Sequence, residues 1–441
     1  MPETPERTRT RWLADLTPLR ENPAYRRLWI GVSLGNVGQQ LAVVTLSLQV
    51  YALTRSSAAV GLVGLVGLVP LAGLGLYGGS VVDTRDRRRV ALVTALALYV
   101  VSVTTAVQAW AHVGSVTLLY ALVAVQSALY AVNSPARSSI IPMLVRRDLL
   151  PAANALSSLS MTLGFTVGPM LAGLLVGWFG FGAAYSVDVV TYLASLWGVW
   201  GLPPLPPLPP EGVGEGSGRR AGVRSVLAGL SFLATRPNVR MTFLVDLCAM
   251  VLAQPRALFP AIGAVVLGGG PRTAGLLIAS VALGSVVAGL FSGPLGRVRR
   301  QGVAVLACVV GWGLSVAAFG LVVVLALGLG GTDGTGVGWL LVPAAVCLAL
   351  AGAADAVSAV FRATILQAAT PDALRGRLQG VFVVVVAGGP RLGDLVAGSG
   401  GDVLGEGWTA LAGGLACALA VLALARCQPR FARYDALDPQ P

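Results

Sequence analysis

Gly79 Ser80 Val81 Val82 Asp83 Thr84 Arg85 Asp86 Arg87 Arg88 Arg89 is the stretch on which the fold turns. It lies between two long apolar runs, Ala58 to Val82 and Val90 to Trp110. Crossing about 30 Å of hydrocarbon as a helix takes roughly 20 apolar residues, and each run is that long. A charged cluster between two such runs reads as a water-facing connection at a membrane surface, its arginines marking the cytoplasmic side.

Composition outside this stretch agrees. The chain is 55% hydrophobic and 11% charged, with a mean hydropathy of +0.78, whereas soluble domains carry about 25% charged residues. It therefore reads as a polytopic membrane protein. A formal charge of +12 is compatible with nucleic-acid binding, but the placement of the charge argues against that partner. All 31 basic residues are arginine, and 27 of them precede the first apolar run, lie in or beside alternate connections, or follow the last run. Only Arg55 and Arg272 occupy the opposite connections, which predicts that both termini are cytoplasmic. The five cysteines lie in or at the ends of apolar segments with no CxxC pair, so neither a disulfide nor a metal site is expected. The first apolar run, Leu28 to Ala52, is too long for a cleavable signal core.

Twelve apolar segments are predicted, in two sets of six. The first set is Leu28 to Ala52, Ala58 to Val82, Val90 to Trp110, Val116 to Asn133, Ala152 to Phe179 and Ala183 to Leu202. The second is Met241 to Leu267, Thr273 to Leu295, Gly302 to Leu329, Val337 to Phe361, Leu378 to Gly398 and Trp408 to Arg426. Asp148 is placed to cap the fifth helix, and Thr370 Pro371 Asp372 makes a good helix start before the eleventh. Between the sets, Pro203 to Gly218 is a proline-then-glycine linker, and Val223 to Thr235 carries an apolar stripe suited to lying on the inner membrane face. The expected organisation is an N-terminal segment over 1–27, six-helix bundles over 28–202 and 240–426, a linker over 203–239 and a tail over 427–441.

An internal repeat supports this division. A shift of 214 residues superposes Arg26 on Arg240, Gly61 on Gly275 and Gly79 on Gly293. A shift of 225 superposes Arg137 on Arg362, Gly164 on Gly389, Gly168 on Gly393 and Ala172 Gly173 on Ala397 Gly398. Both copies run in the same direction across the membrane, which predicts parallel halves with a substrate path between them.

Charges inside apolar segments cost about 2.5 to 3.5 kcal/mol each at a helix centre unless they face protein or water. They are Asp188, Asp246, Arg256, Asp355, Arg391 and Asp394. Arg391 and Asp394 share a helical face and are expected to pair with each other. Asp188 reads as structural. Asp246 and Asp355 read as rim groups, a gate or, if protons drive transport, the titrating acids. Arg256, between Pro255 and Pro260 past the midplane, either meets an anionic substrate or is neutralised by Asp246 or Asp394. Two polar trios, Asn36, Gln39 and Gln40 on the first segment and Gln126, Tyr130 and Asn133 on the fourth, each share one helical face and are expected to line a wet cavity. His112 lies in a turn at the opposite membrane face and reads as a solvated loop residue. There is no P-loop, no nucleophile and base combination and no metal cluster, so neither direct ATP use nor enzyme catalysis is expected, and no cofactor.

Gly79, Asp83, Arg87 and Arg88 resemble the signature of the major facilitator superfamily between its second and third helices, with Thr84 and Asp86 departing from it. Gly164, Gly168, Pro169 and Gly173 resemble that superfamily's helix-five exporter motif; physically, such glycines admit close helix approach and the proline bends the segment. Along nearly the whole chain the resemblance is to the siderophore (enterobactin) exporter group, carried by Asn22 Pro23 Ala24 Tyr25 Arg26, the Leu202 to Pro210 linker, Arg256 Ala257 Leu258 Phe259 Pro260 Ala261 and Gly376 Arg377 Leu378 Gln379 Gly380. It implies a twelve-helix all-α fold in two parallel-repeat bundles, and proton-driven export of a siderophore or similar small molecule across a bacterial inner membrane; a monomer is expected. Macrolide or multidrug efflux, and a non-transporting receptor or scaffold of the same fold, remain open alternatives.

Overall fold

The computed structural model describes residues 15–203, 235–291, 298–330, 338–368 and 372–435. Its architecture is helical, with no strand among the described residues. The long helices are α1 (Pro23–Thr54), α2 (Ser57–Thr84), α3 (Arg87–Trp110), α4 (Val116–Leu144), α5 (Leu150–Trp200), α6 (Pro237–Leu252), α7 (Pro271–Leu290), α8 (Gln301–Gly328), α9 (Leu341–Ala368), α10 (Asp372–Leu404) and α11 (Glu406–Cys427). Among the described residues nine helical spans are long and apolar enough to cross a membrane. The 51-residue α5 is counted once among them, although Gly180, at φ 79°, breaks it at the expected fifth-to-sixth turn. The more polar α1 falls outside the nine, as does α10, of whose side chains only those of 388–404 are described.

Local chemistry sets the helix starts. Asn22 accepts the Ala24 and Tyr25 N–H groups and donates to the last carbonyl of α4, at Leu144. Ser56, Asp86 and Ser115 cap α2, α3 and α4 in the same manner. Capping by Asp86 corrects the reading of the opening stretch. Gly79 to Thr84 continues α2 as helix, and only Arg85 and Asp86 lie between α2 and α3. Helical hydrogen bonds need no hydrocarbon, so α2 can run on past the apolar zone. The side chains of 75–84, Asp83 included, lie outside the described residues, as do 204–234 with the expected linker and interfacial stripe, and Thr370 Pro371. Likewise α4 continues eleven residues beyond Asn133. Asp148 does not cap α5: it pairs with Arg146, at 2.6 Å from Nη2, and this contact holds the carboxyl below the usual carboxylate range.

The internal repeat is visible in the packing. Side chains on Gly164 and Gly168 of α5 would strike the α1 backbone at Asn36 and the Gln40 side chain. The 214-residue shift carries Asn36 to Met250 and Gln40 to Gln254, the residues that Gly389 and Gly393 of α10 press against. Gly173 packs on Gly275 of α7, and its repeat mate Gly398 packs on Ser57 and Ala58 of α2. Thus α5 joins α7 and α10 joins α2, and these two glycine-lined seams hold the first set of helices to the second. All three glycines of the helix-five motif, Gly164, Gly168 and Gly173, therefore have packing roles at close helix approaches.

Candidate functional site

The seventh apolar segment is broken. Helix α6 ends at Leu252, and Ala253 (φ −121°, ψ 33°), Gln254 and Pro255 interrupt it before a 3-10 turn, Arg256–Leu258, and a π-helical turn, Ile262–Val266. Pro255 cannot donate to the ladder, and Pro260 removes a second donor one turn on. The freed backbone groups have partners. The indole of Trp312 donates to the Ala253 carbonyl at 3.1 Å, and the Asp394 carboxylate accepts from the Ala257 N–H. Replacing Trp312 by phenylalanine is therefore expected to lower stability by about 1 to 3 kcal/mol, the cost of an unsatisfied buried carbonyl; thermal unfolding in detergent measures it.

Arg256 opens the 3-10 turn and is exposed, while Pro255 and Ala257 on either side are buried. Its charged neighbours are Asp394 on α10 and Asp355 on α9. Asp355 is bonded at 3.3 Å by Arg362, two turns further along α9, and the other arm of the same guanidinium meets Asp246 on α6. Arg391 lies beside Asp394 and Tyr130. Six charges thus alternate in sign through α6, the broken turn, α9 and α10, in the order Asp246, Arg362, Asp355, Arg256, Asp394, Arg391. Alternation lets each buried charge face an opposite one, which compensates its desolvation.

This arrangement changes several expectations. Asp246, 3% exposed, is an ion-pair partner within the protein rather than a solvated rim group. The expected contact pair between Arg391 and Asp394 is not made among the described residues. Arg391 Nη1 and Asp394 Oδ1 have no hydrogen-bond partner, while the Asp394 carboxylate accepts from the Ala257 N–H and lies in the field of both Arg256 and Arg391. Arg256 is not neutralised by Asp246, whose carboxylate Arg362 takes. Sequence reasoning counted Arg362 only as a repeat mate and a connection arginine; its spacing of seven from Asp355, two turns on one face, was the available signal.

The polar trios divide. Asn133 is 1% exposed and donates to the Ala91 carbonyl (3.2 Å) and Thr94 Oγ1 (2.8 Å), tying α4 to α3 instead of lining a cavity. Asn36 donates to Ser160 of α5 at 3.0 Å. A buried amide needs such partners, and neighbouring helices supply them. Gln126 turns to the Tyr192 hydroxyl, while Gln39, Gln40 and Tyr130 are half-buried. Asp188 accepts from Ser102 at 2.6 Å, and Tyr185, Gln49 and Gln108 form a second buried polar cluster that sequence reasoning missed. Of the opening stretch, Arg88 donates to the Trp200 carbonyl at 2.8 Å and Arg87 to Met143 Sδ at 3.1 Å, so both hold the arginine-rich end together.

Long apolar helices, two glycine seams relating two sets of helices, and a broken segment with charges inside the bundle define a multi-pass membrane transporter of the major facilitator type. The chain belongs to the transmembrane secretion effector family, which matches residues 13–441. It is 28% identical over 436 residues to the enterobactin exporter EntS of Shigella boydii serotype 18, covering 97% of each chain. Its fold is like those of the POT family transporter PepTSo (TM-score 0.70, 13% identity, 94% of this chain and 99% of that one) and the nucleoside transporter NupG (TM-score 0.68, 14% identity, 91% and 98%). The family and these relatives are transporters and not enzymes.

Proposed function

We propose that this transporter is a proton-coupled exporter that moves a siderophore or similar small organic anion out across a bacterial cytoplasmic membrane by alternating access. The observation that carries the reading is the exposed Arg256 at the break of the seventh segment, backed by Asp355 and Asp394. Unwound segments inside a bundle offer substrates a charged, partly desolvated site. The naming of a relative as an enterobactin exporter agrees with it. In this reading the bundles over 28–202 and 240–426 rock about the two glycine seams, and the arginine-rich connections and both termini face the cytoplasm. Gln39, Gln40 and Tyr130 face the path. Asp355 is the proton-carrying acid, since its side chain is 45% exposed while Asp246 is enclosed.

That same half-exposed carboxylate favours a second reading, efflux of cationic drugs, in which Asp355 is the anchor. Protein in proteoliposomes under an imposed pH gradient separates the two. Gradient-driven movement of an iron-free catechol siderophore, reduced on the order of tenfold or more by Arg256→Ala, is the expected result, because a bond to a charged partner is worth about 1.5 to 3 kcal/mol. Movement of a cationic macrolide alone, unchanged by Arg256→Ala and lost with Asp355→Asn, overturns the anion reading.

A further inference from the structure

A recess of about 260 Å³ lies behind the broken segment, on the side formed by α10 and α11. Leu252, Ala253 and Pro255 of the break line it, together with Val396 and Leu404 of α10 and Ala412 of α11. Of its fifteen lining residues only Gln254 and Thr409 carry polar side chains, and none carries a charge, so it is built for hydrocarbon and not for a charged solute.

Its mouth identifies the occupant. Val396 is 49% and Leu404 59% exposed, and Ala412 and Ala416 are exposed on α11 beside Leu415 and Leu419. In a chain whose outer surface is set in a bilayer, an opening rimmed by such residues faces lipid tails. The recess also has a definite depth. Leu404 ends α10 and Thr409 lies in the first turn of α11, whose other end carries Arg426. It therefore lies in the part of the bundle away from the arginine-rich connections, level with one leaflet only.

We infer that this recess takes an acyl chain of a phospholipid from the leaflet opposite the arginine-rich connections, seated against Ala253 and Pro255 of the break. A chain there fills a void that would otherwise cost the lining its dispersion contacts. It also packs against the backbone that carries Arg256, so its presence restrains the movement of that turn.

The test uses the full chain in liposomes of phosphatidylcholine containing a phospholipid with a diazirine midway along one acyl chain. Photolysis followed by peptide mapping is expected to place label on the Leu252 to Leu258 segment, in addition to the outer faces of α10 and α11. Ala416→Trp, which fills the mouth, should remove the label from the break and leave that on exposed Leu290 and Phe291 of the α7 end unchanged. Should Ala416→Trp not assemble, Ala412→Phe closes the mouth from the preceding turn. An unlabelled break in the native chain, or label there that neither substitution reduces, overturns the inference and leaves only general lipid contact.

Discussion

Arg362→Leu is expected to abolish transport and to destabilise the protein by about 3 to 5 kcal/mol, the penalty for leaving a buried charge without its partner. Arg362 is 8% and Asp246 3% exposed, and no other cation is bonded to Asp246 among the described residues. The same guanidinium holds Asp355 at 3.3 Å, so one substitution releases an acid on α6 and another on α9. Arg362→Lys keeps the charge and loses the fork that reaches both carboxylates, and should fall between the native chain and Arg362→Leu. The combination of Arg362→Leu with Asp246→Leu is expected to recover most of the stability, since an apolar pair in place of a buried ion pair is often neutral. Transport should remain lost in it, because Asp355 is still released. Thermal unfolding in detergent beside uptake in proteoliposomes reads both effects, and an unfolding curve for Arg362→Leu that overlays the native one would remove the ion pair from this account.

Apolar run length located the helices, because the bilayer fixes that length whatever the tertiary packing. Repeat spacing marked the close-packing glycines, because positions that admit a neighbouring helix recur in both copies, as Gly173 and Gly398 do at the two seams, though not which helices they would join. The partners of individual charges were harder to read. Asp394 was assigned to Arg391 from their helical spacing, but the break in the seventh segment also brings Arg256 and the Ala257 N–H to that carboxylate, which spacing along one helix cannot show. The prolines at 255 and 260 announced a distortion without saying which backbone groups it would release. Asn133 shows the same limit: a polar residue on a shared face looks alike whether it faces water or the Ala91 carbonyl of another helix.

Asp402→Ala is the second substitution with a large expected effect, and it acts on the conformational balance more than on stability. Asp402 lies in the last turn of α10, where its Oδ1 accepts the Ser57 N–H at 2.6 Å and its Oδ2 takes the Ser56 hydroxyl. Glu406, at the start of α11, accepts from Ser57 Oγ at 3.3 Å. Two carboxylates from the second set of helices thus sit at the N-terminus of α2 in the first, Asp402 on a backbone N–H and Glu406 on the Ser57 hydroxyl, where the helix dipole adds to the attraction. The repeat shifts carry Ser57 to Pro271 and Gly177 to Asp402, and at the equivalent seam Arg272 stacks on Trp178 at 5.0 Å from the ring centre. Both seams are therefore fastened at the end of the bundle away from the arginine-rich connections, and the halves cannot part there without breaking one of them. Charge-assisted bonds of this kind contribute about 2 kcal/mol, so their loss shifts a two-state balance about 30-fold toward the form open at that end. Gly61→Leu should act in the same direction through sterics, since Gly61 rests on the backbone of Asp394 and Leu395 and leaves no space for a side chain. Spin labels at Thr54→Cys and Leu404→Cys, with the native cysteines replaced, report the separation; both substitutions should lengthen it, and Asp402→Asn, which keeps one acceptor oxygen, should lengthen it less. An unchanged separation in Asp402→Ala would mean that the glycine seams alone hold that end closed.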